Sequence, residues 1–202
     1  MNYLAHLLLA EPTPESRLGN LLPDFGIRRF GHWPLTPELR RGIQRHQRVD
    51  AFTDSHPLFA ASRRRLAPCA GRFAAICVDL FYDHMLARHW RRFCSTPLPS
   101  FIRGAYRDLA RAEHHMPHPL RPTFATMRRE DWLGCYATIE GMAFILDRMS
   151  RRFSERFNRE IDLRGGIDLL RTHEAALRQD LLAFFPQLLA HIATPHPARR
   201  SG

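Results

Sequence analysis

The sequence predicts a single all-α domain built as a helical bundle, and three observations carry that expectation. Apolar residues recur at helical spacing over most of the chain. No run alternating between apolar and polar residues is long enough to read as a strand. No internal repeat and no linker divides the 202 residues, a length that suits one domain able to close a core around a buried site.

Taken in order, residues 1–10 read as a short first helix. The stretch is apolar but has no basic lead, so it does not read as a signal peptide. Gly19-Asn20 marks a break, and residues 21–25 begin a new segment. Residues 31–34 read as a loop. Thr36 is a good cap and Pro37 fits a first turn, which predicts a helix over 36–54. Ser55 should cap a short helix that opens at Pro57 and closes at Pro68. Residues 70–93 read as one long helix ended by Ser95-Thr96-Pro97, followed by a helix over 100–113 and a proline-rich loop over 114–122. Residues 131–149 are helical, with Trp132, Ile139, Ala143 and Leu146 near one face. Gly165-Gly166 closes an arginine-rich connector, and a last helix over 167–192 should kink at Pro186. The tail over 194–202 reads as disordered, which leaves a domain of 1–193.

The apolar share of 45% and charged share of 25% are those of an ordinary soluble protein, and no stretch reads as a membrane span. Cys69, Cys77, Cys94 and Cys135 have no CxxC spacing, so reduced thiols in the cytoplasm are expected rather than a zinc ribbon. The net charge is +10, and all thirty basic residues are arginine. Either an anionic partner or a codon bias with solvated helix faces accounts for that excess, and the charge does not choose between them. There is no Walker loop, no GxGxxG and no GxSxG, and Ser16, Ser62 and Ser100 lie in no nucleophile setting. His114, His115 and His118 read as a surface loop. Arg63-Arg64-Arg65 and Arg151-Arg152 read as solvated faces.

Two helices carry charge where a core should be. In 36–54 the face that starts with Leu39 and Ile43 continues to His46, Asp50 and Thr53. In 70–93 the face of Ile76 continues to Asp79, Asp83, Leu86 and Trp90. Within each pair, His46/Asp50 and Asp79/Asp83, the side chains lie about 6 Å apart on one face. Buried ionised carboxylates are costly unless another charge compensates them. A divalent metal would do so, and so would arginines such as Arg45, Arg48 and Arg88. Two such helices in one chain, with His6 and Asp24 on separate short elements, favour a metal. The opposite face of 36–54 carries Arg40, Arg41, Arg45 and Arg48, of which Arg41, Arg45 and Arg48 fall in a stripe.

Several runs in matching order resemble the acyl carrier protein phosphodiesterase family. They are residues 2–7 (Asn-Tyr-Leu-Ala-His-Leu), Gly19-Asn20-Leu21-Leu22-Pro23-Asp24-Phe25, Gly42-Ile43 with His46, Arg48 and Asp50, Thr53-Asp54, and Asp79 through Asp83-His84 with Arg88-His89-Trp90. The likeness extends to Phe185-Pro186 and so covers nearly the whole chain. It implies an HD-like helical bundle, a divergent branch of the HD-type metal phosphohydrolases. It further implies a divalent ion, manganese or magnesium, held by His6, Asp24 and Asp79. Leu21-Leu22-Pro23-Asp24 is similar to the Leu-Leu-His-Asp signature of those enzymes, but Pro23 stands where a histidine should be and cannot bind metal. The missing ligand would come from His46, from Asp83 or from water.

The resemblance implies hydrolysis of the phosphodiester between 4′-phosphopantetheine and a serine of acyl carrier protein. Asp24, His46, Asp50 and Asp83 would do the catalytic work, and the stripe Arg41, Arg45 and Arg48 would receive an acidic protein partner. Neither nucleic acid nor membrane is expected as a partner. The alternative with the same core is an HD-like phosphohydrolase acting on a nucleotide or cyclic dinucleotide. A non-catalytic nucleic-acid binder ranks last, because it leaves the core-phase carboxylates unexplained.

Overall fold

The protein's structure, a computed structural model, describes residues 1–27 and 33–194. Among the described residues ten α-helices follow one another: α1 Tyr3–Leu9, α2 Pro14–Leu21, α3 Pro37–Ser55, α4 Pro57–Ala70, α5 Ala74–Arg88, α6 Leu98–Arg111, α7 Arg121–Arg129, α8 Trp132–Cys135, α9 Ile139–Phe157 and α10 Gly166–Ala193. No strand occurs among the described residues. The all-α expectation holds, and buried apolar side chains from every helix join one core.

Local chemistry explains where the helices begin. Thr13 and Thr36 accept from the amides of Ser16 and Leu39, each with a proline in the first helical turn behind it. Thr138 caps α9 through Gly141, and Asp131 caps α8 from a left-handed conformation at φ 44°. Helix α5 is buried on nearly every side from Cys77 to Ala87 and forms the axis of the bundle. Helices α1, α4 and α10 pack around it.

Several sequence expectations are corrected. Gly19-Asn20 does not break the chain but lies inside α2. Glycine serves a close crossing there: a Cβ on Gly19 would sit 2.5 Å from the Leu39 carbonyl oxygen, and one on Gly42 would sit 2.7 Å from that of Ser16. His56, not Ser55, caps α4. Helix α4 runs past Pro68 to Ala70, because that proline falls in the last turn and the real stop is Gly71 at φ 53°. The expected helix over 70–93 is shorter, with α5 flanked by two 3-10 turns, Gly71–Phe73 and Trp90–Arg92. The helix expected from residue 100 starts at Leu98. The loop expected over 114–122 contains a 3-10 turn at His118–Leu120 and the start of α7. Residues 131–149 divide between α8 and α9, so Trp132 and Ile139 do not share a helix face. As expected, one last helix, α10, runs through Pro186. Part of the loop expected at 31–34, and the tail beyond Thr194, lie outside the described residues.

Candidate metal centre

The centre is assembled by three short-range devices. First, the start of α1 is pinned to α5. Asp83, fully buried, accepts from the amides of Leu4 at 2.7 Å and of Asn2 and Ala5 at 3.4 Å. These amides belong to the helix N-terminus, where backbone donors lack intrahelical partners and favour a carboxylate. His6 follows on α1, completely buried. Second, the chain turns tightly after α2, with Asp24 N bonded to Leu21 O and Gly26 N to Pro23 O, and Gly26 at φ 77°. That turn presents Asp24. Third, the glycine crossing of α2 on α3 brings the Asn20 carbonyl to 2.7 Å from Nδ1 of His46.

The rings of His6 and His46 stack with centroids 4.0 Å apart and 19° between planes. One ligand atom from each of His6, Asp24 and His46 lies within 4.8 Å of the other two. Asp50 closes the cluster, 2.9 Å from His46 Nε2 and 3.2 Å from His6 Nε2. A carbonyl oxygen only accepts, so Nδ1 of His46 carries a proton. Its Nε2 faces a carboxylate at 2.9 Å and therefore needs either a second proton or a cation between them. Nδ1 of His6 has no hydrogen-bond partner, and its Nε2 is near Asp50 without being aligned to bond it.

The electrostatics agree with a site made for positive charge. Burial drives His6 down to about 4, against the pull of Asp50, so its ring is neutral with a free lone pair. Burial raises Asp24 to about 6, with His46 opposing and Asp50 adding to the rise. Burial also resists charge on His46, but its bond to Asp50 and the charges of Asp24 and Asp50 outweigh that and raise it. Asp50 is held far below the usual carboxylate range, because its contacts with His46 and His6 overcome its partial burial. Two imidazoles and a carboxylate, with both ring nitrogens of His6 lacking a hydrogen-bond partner, could hold a metal ion.

Not every residue singled out in the sequence joins this cluster. Of the residues weighed for the place of Pro23, His46 lies within ligand distance of His6 and Asp24. Asp79, expected as a ligand, lies 2.9 Å from the Met1 amino group, which accounts for its charge differently. Asp83 is occupied by α1 amides. On α3 the fully buried positions are Leu39, Gly42, His46, Val49 and Thr53, whereas Ile43 and Asp50 are half-buried. The arginine stripe is uneven. Arg41 is exposed and bonds Glu38 on its own helix. Arg45 bonds the Leu9 carbonyl at the end of α1, and Arg48 bonds the carbonyls of His191 and Thr194 at the end of α10. Those two guanidiniums satisfy carbonyls that helix ends leave unpaired.

Sequence reasoning missed a cleft of about 500 Å³ beside the cluster, lined among others by Asn2, Tyr3, Phe25, Trp132, Ile145 and Arg152. Arg152 is exposed, as expected, and also reaches the Asp24 carbonyl at 3.5 Å. Burial and the nearby Asp24 charge raise the Tyr3 phenol to about 12, with Arg152 opposing. No local pattern announced this, since the cleft draws on α1, the Asp24 turn, α8 and α9 at once.

Fold and site together define an all-helical protein with a buried His–Asp cluster of the kind that holds a divalent ion. Within that class the chain belongs to the acyl carrier protein phosphodiesterase family, whose model matches residues 1–188. It is similar to the acyl carrier protein phosphodiesterases of Yersinia pestis (33% identical, 94% of this chain and 96% of that protein) and Yersinia enterocolitica (35% identical, 94% and 96%). The enzyme of that name from Pectobacterium atrosepticum is 37% identical over 75% of this chain and 79% of its own length. No solved structure matches the chain.

Proposed function

We propose that this protein hydrolyses the phosphodiester joining 4′-phosphopantetheine to the serine of holo acyl carrier protein, with a divalent ion, manganese first, held by His6, Asp24 and His46. The observation that carries the reading is the buried stack of His6 on His46, with the ring nitrogens of His6 unpartnered and Asp24 within ligand distance, in a chain of this family. When bound, a divalent ion acidifies water and offsets phosphate charge. Asp50 pairs with His46, stands 3.2 Å from His6 and keeps its own charge at neutral pH. Water adds to phosphorus, the bond from phosphorus to the serine oxygen breaks, and that oxygen leaves with the electron pair and takes a proton. The products are apo acyl carrier protein and 4′-phosphopantetheine. Asp83 acts through α1, as a positioning residue for His6.

The net charge of +10 suits an acidic protein substrate. Exposed Arg41 is the foremost docking residue of the stripe, and Arg45 and Arg48 contribute to the same field from anchored positions. No helix among the described residues is long and apolar enough to cross a membrane. Four free cysteines suit a reducing compartment, so we place the enzyme in the cytoplasm. Incubating the protein with holo acyl carrier protein and manganese should remove the phosphopantetheine mass, and chelation should stop the loss until manganese is restored. Full turnover after thorough chelation would overturn the metal assignment, and an unchanged carrier mass with metal present would overturn the substrate.

A further inference from the structure

The cleft reaches the Asp24 turn through Phe25 and Arg152. One wall is a single face of α9, where Ile145, Arg148, Met149 and Arg152 follow helical spacing. Across from it stand Tyr3 and Phe25, stacked at 5.4 Å, with Tyr3 in turn stacked on Trp132 at 6.2 Å. The volume of about 500 Å³ lies in the range of roughly 300–1,000 Å³ typical of small-ligand sites. The charge at the cleft is graded. Arg148 lies 4.0 Å over Trp132 and pairs with Glu130, and Arg151 pairs with Asp147. Arg152 has no carboxylate partner among the described residues and lies on the side of Asp24. The Asn2 side-chain oxygen is taken by Tyr3 N and by the Tyr136 hydroxyl, which turns its Nδ2 into a donor with no protein acceptor among the described residues.

We propose that this cleft binds the phosphopantetheine arm. Arg152 holds the phosphate between cleft and metal centre, Ile145, Met149 and Phe25 cover the dimethyl and methylene segments, and Asn2 Nδ2 donates to an amide carbonyl of the arm. The inference rests on the phosphodiesterase reading for its ligand. It adds that recognition is divided: the arm enters the α9 cleft while the carrier protein stays outside.

The test reads binding without turnover, so that the two readings fail separately. The full chain is titrated calorimetrically with 4′-phosphopantetheine, with pantetheine lacking the phosphate, and with inorganic phosphate. The phosphorylated arm should bind more tightly than either fragment. Arg152→Met should weaken it about tenfold or more, as loss of a charged hydrogen bond does, and should leave pantetheine affinity unchanged. Ile145→Trp, which fills the cleft, should abolish binding of both arm compounds. A phosphopantetheine analogue with a diazirine at the thiol end should label wild-type peptides from α8 or α9, a readout that does not depend on how any variant folds. Wild type that hydrolyses holo acyl carrier protein yet labels elsewhere, or binds inorganic phosphate as tightly as the whole arm, overturns the cleft assignment. Arm binding at the cleft without hydrolysis of holo acyl carrier protein would leave the cleft standing and overturn the activity. Tighter binding of a cyclic dinucleotide than of the arm would overturn the ligand.

Discussion

Replacing Asp83 by asparagine separates a structural carboxylate from a chemical one. Burial lifts Asp83 from 3.8 to about 7, against the α1 amides that favour its charge. A folded pKa above the unfolded one means that the folded protein retains a proton which the unfolded chain releases. The associated stability is complete below about 3.8 and is lost as pH rises toward 7. Between pH 5 and 8 the loss spans about two pH units, on the order of 3 kcal/mol at 1.36 kcal/mol per unit. Asp83→Asn cannot titrate, and its carbonyl oxygen still reaches Leu4 N. Guanidinium unfolding of both proteins at pH 5 and pH 8 should therefore show wild type losing on the order of 3 kcal/mol more than the variant over that interval. Asp50 does not confound the comparison, because its depressed pKa completes its contribution below pH 5. The variant should keep kcat within a few-fold, since Asp83 touches backbone amides and not the His–Asp cluster. Parallel pH profiles would refute the titration argument. A hundredfold fall in kcat at unchanged stability would refute the positioning role and return Asp83 to the chemistry.

Gly42→Ala puts a methyl 2.7 Å from the Ser16 carbonyl oxygen, and overpacking of that kind costs about 1–3 kcal/mol. Thermal unfolding should drop by roughly 2–12 °C, and an unchanged midpoint would mean that the crossing is looser than described. Asp24→Asn should weaken manganese binding at least tenfold by calorimetry while leaving the helical circular dichroism intact; undiminished affinity would remove Asp24 from the ligand set. Arg41→Gln should raise KM for holo acyl carrier protein a few-fold and flatten its salt dependence with little change in kcat or thermal midpoint. Arg45→Gln should also lower the midpoint, because it frees the Leu9 carbonyl; equal midpoints for the two variants would contradict the anchored role of Arg45.

Helix existence was legible because it depends on periodicity and on caps that act within four residues. Thr36-Pro37 marked α3 correctly because the capping bond is made to Leu39, three residues on. Signals failed where a distant partner decides what a residue means. Gly19 reads as a breaker in isolation, yet it lies inside α2, where the approach of Leu39 and Gly42 leaves no room for a Cβ. Pro68 reads as a terminator, but a missing amide and a crowded carbonyl matter less in a final turn whose end is fixed by Gly71.

The same distinction governs the site. Four-residue spacing joined His46 to Asp50 and Asp79 to Asp83, and the first pair does meet at 2.9 Å. The second pair diverges, because α5 is buried all round and its acids serve different neighbours, the Met1 amine for one and the α1 amides for the other. Helical phase says that a residue is buried, not what it is buried against, and α5 offers no single face to choose. His6 and Asp24 could be suspected beside the two charged helices but not placed without the family resemblance, since neither lies on a long periodic element. Their convergence depends on Asp83 holding α1 and on the glycine crossing holding α2 against α3. The centre is thus supported by residues that never touch it. Damage to the Gly19–Gly42 contact should loosen the Asn20–His46 bond before it unfolds the bundle, because that bond is made from the residue directly after the crossing glycine.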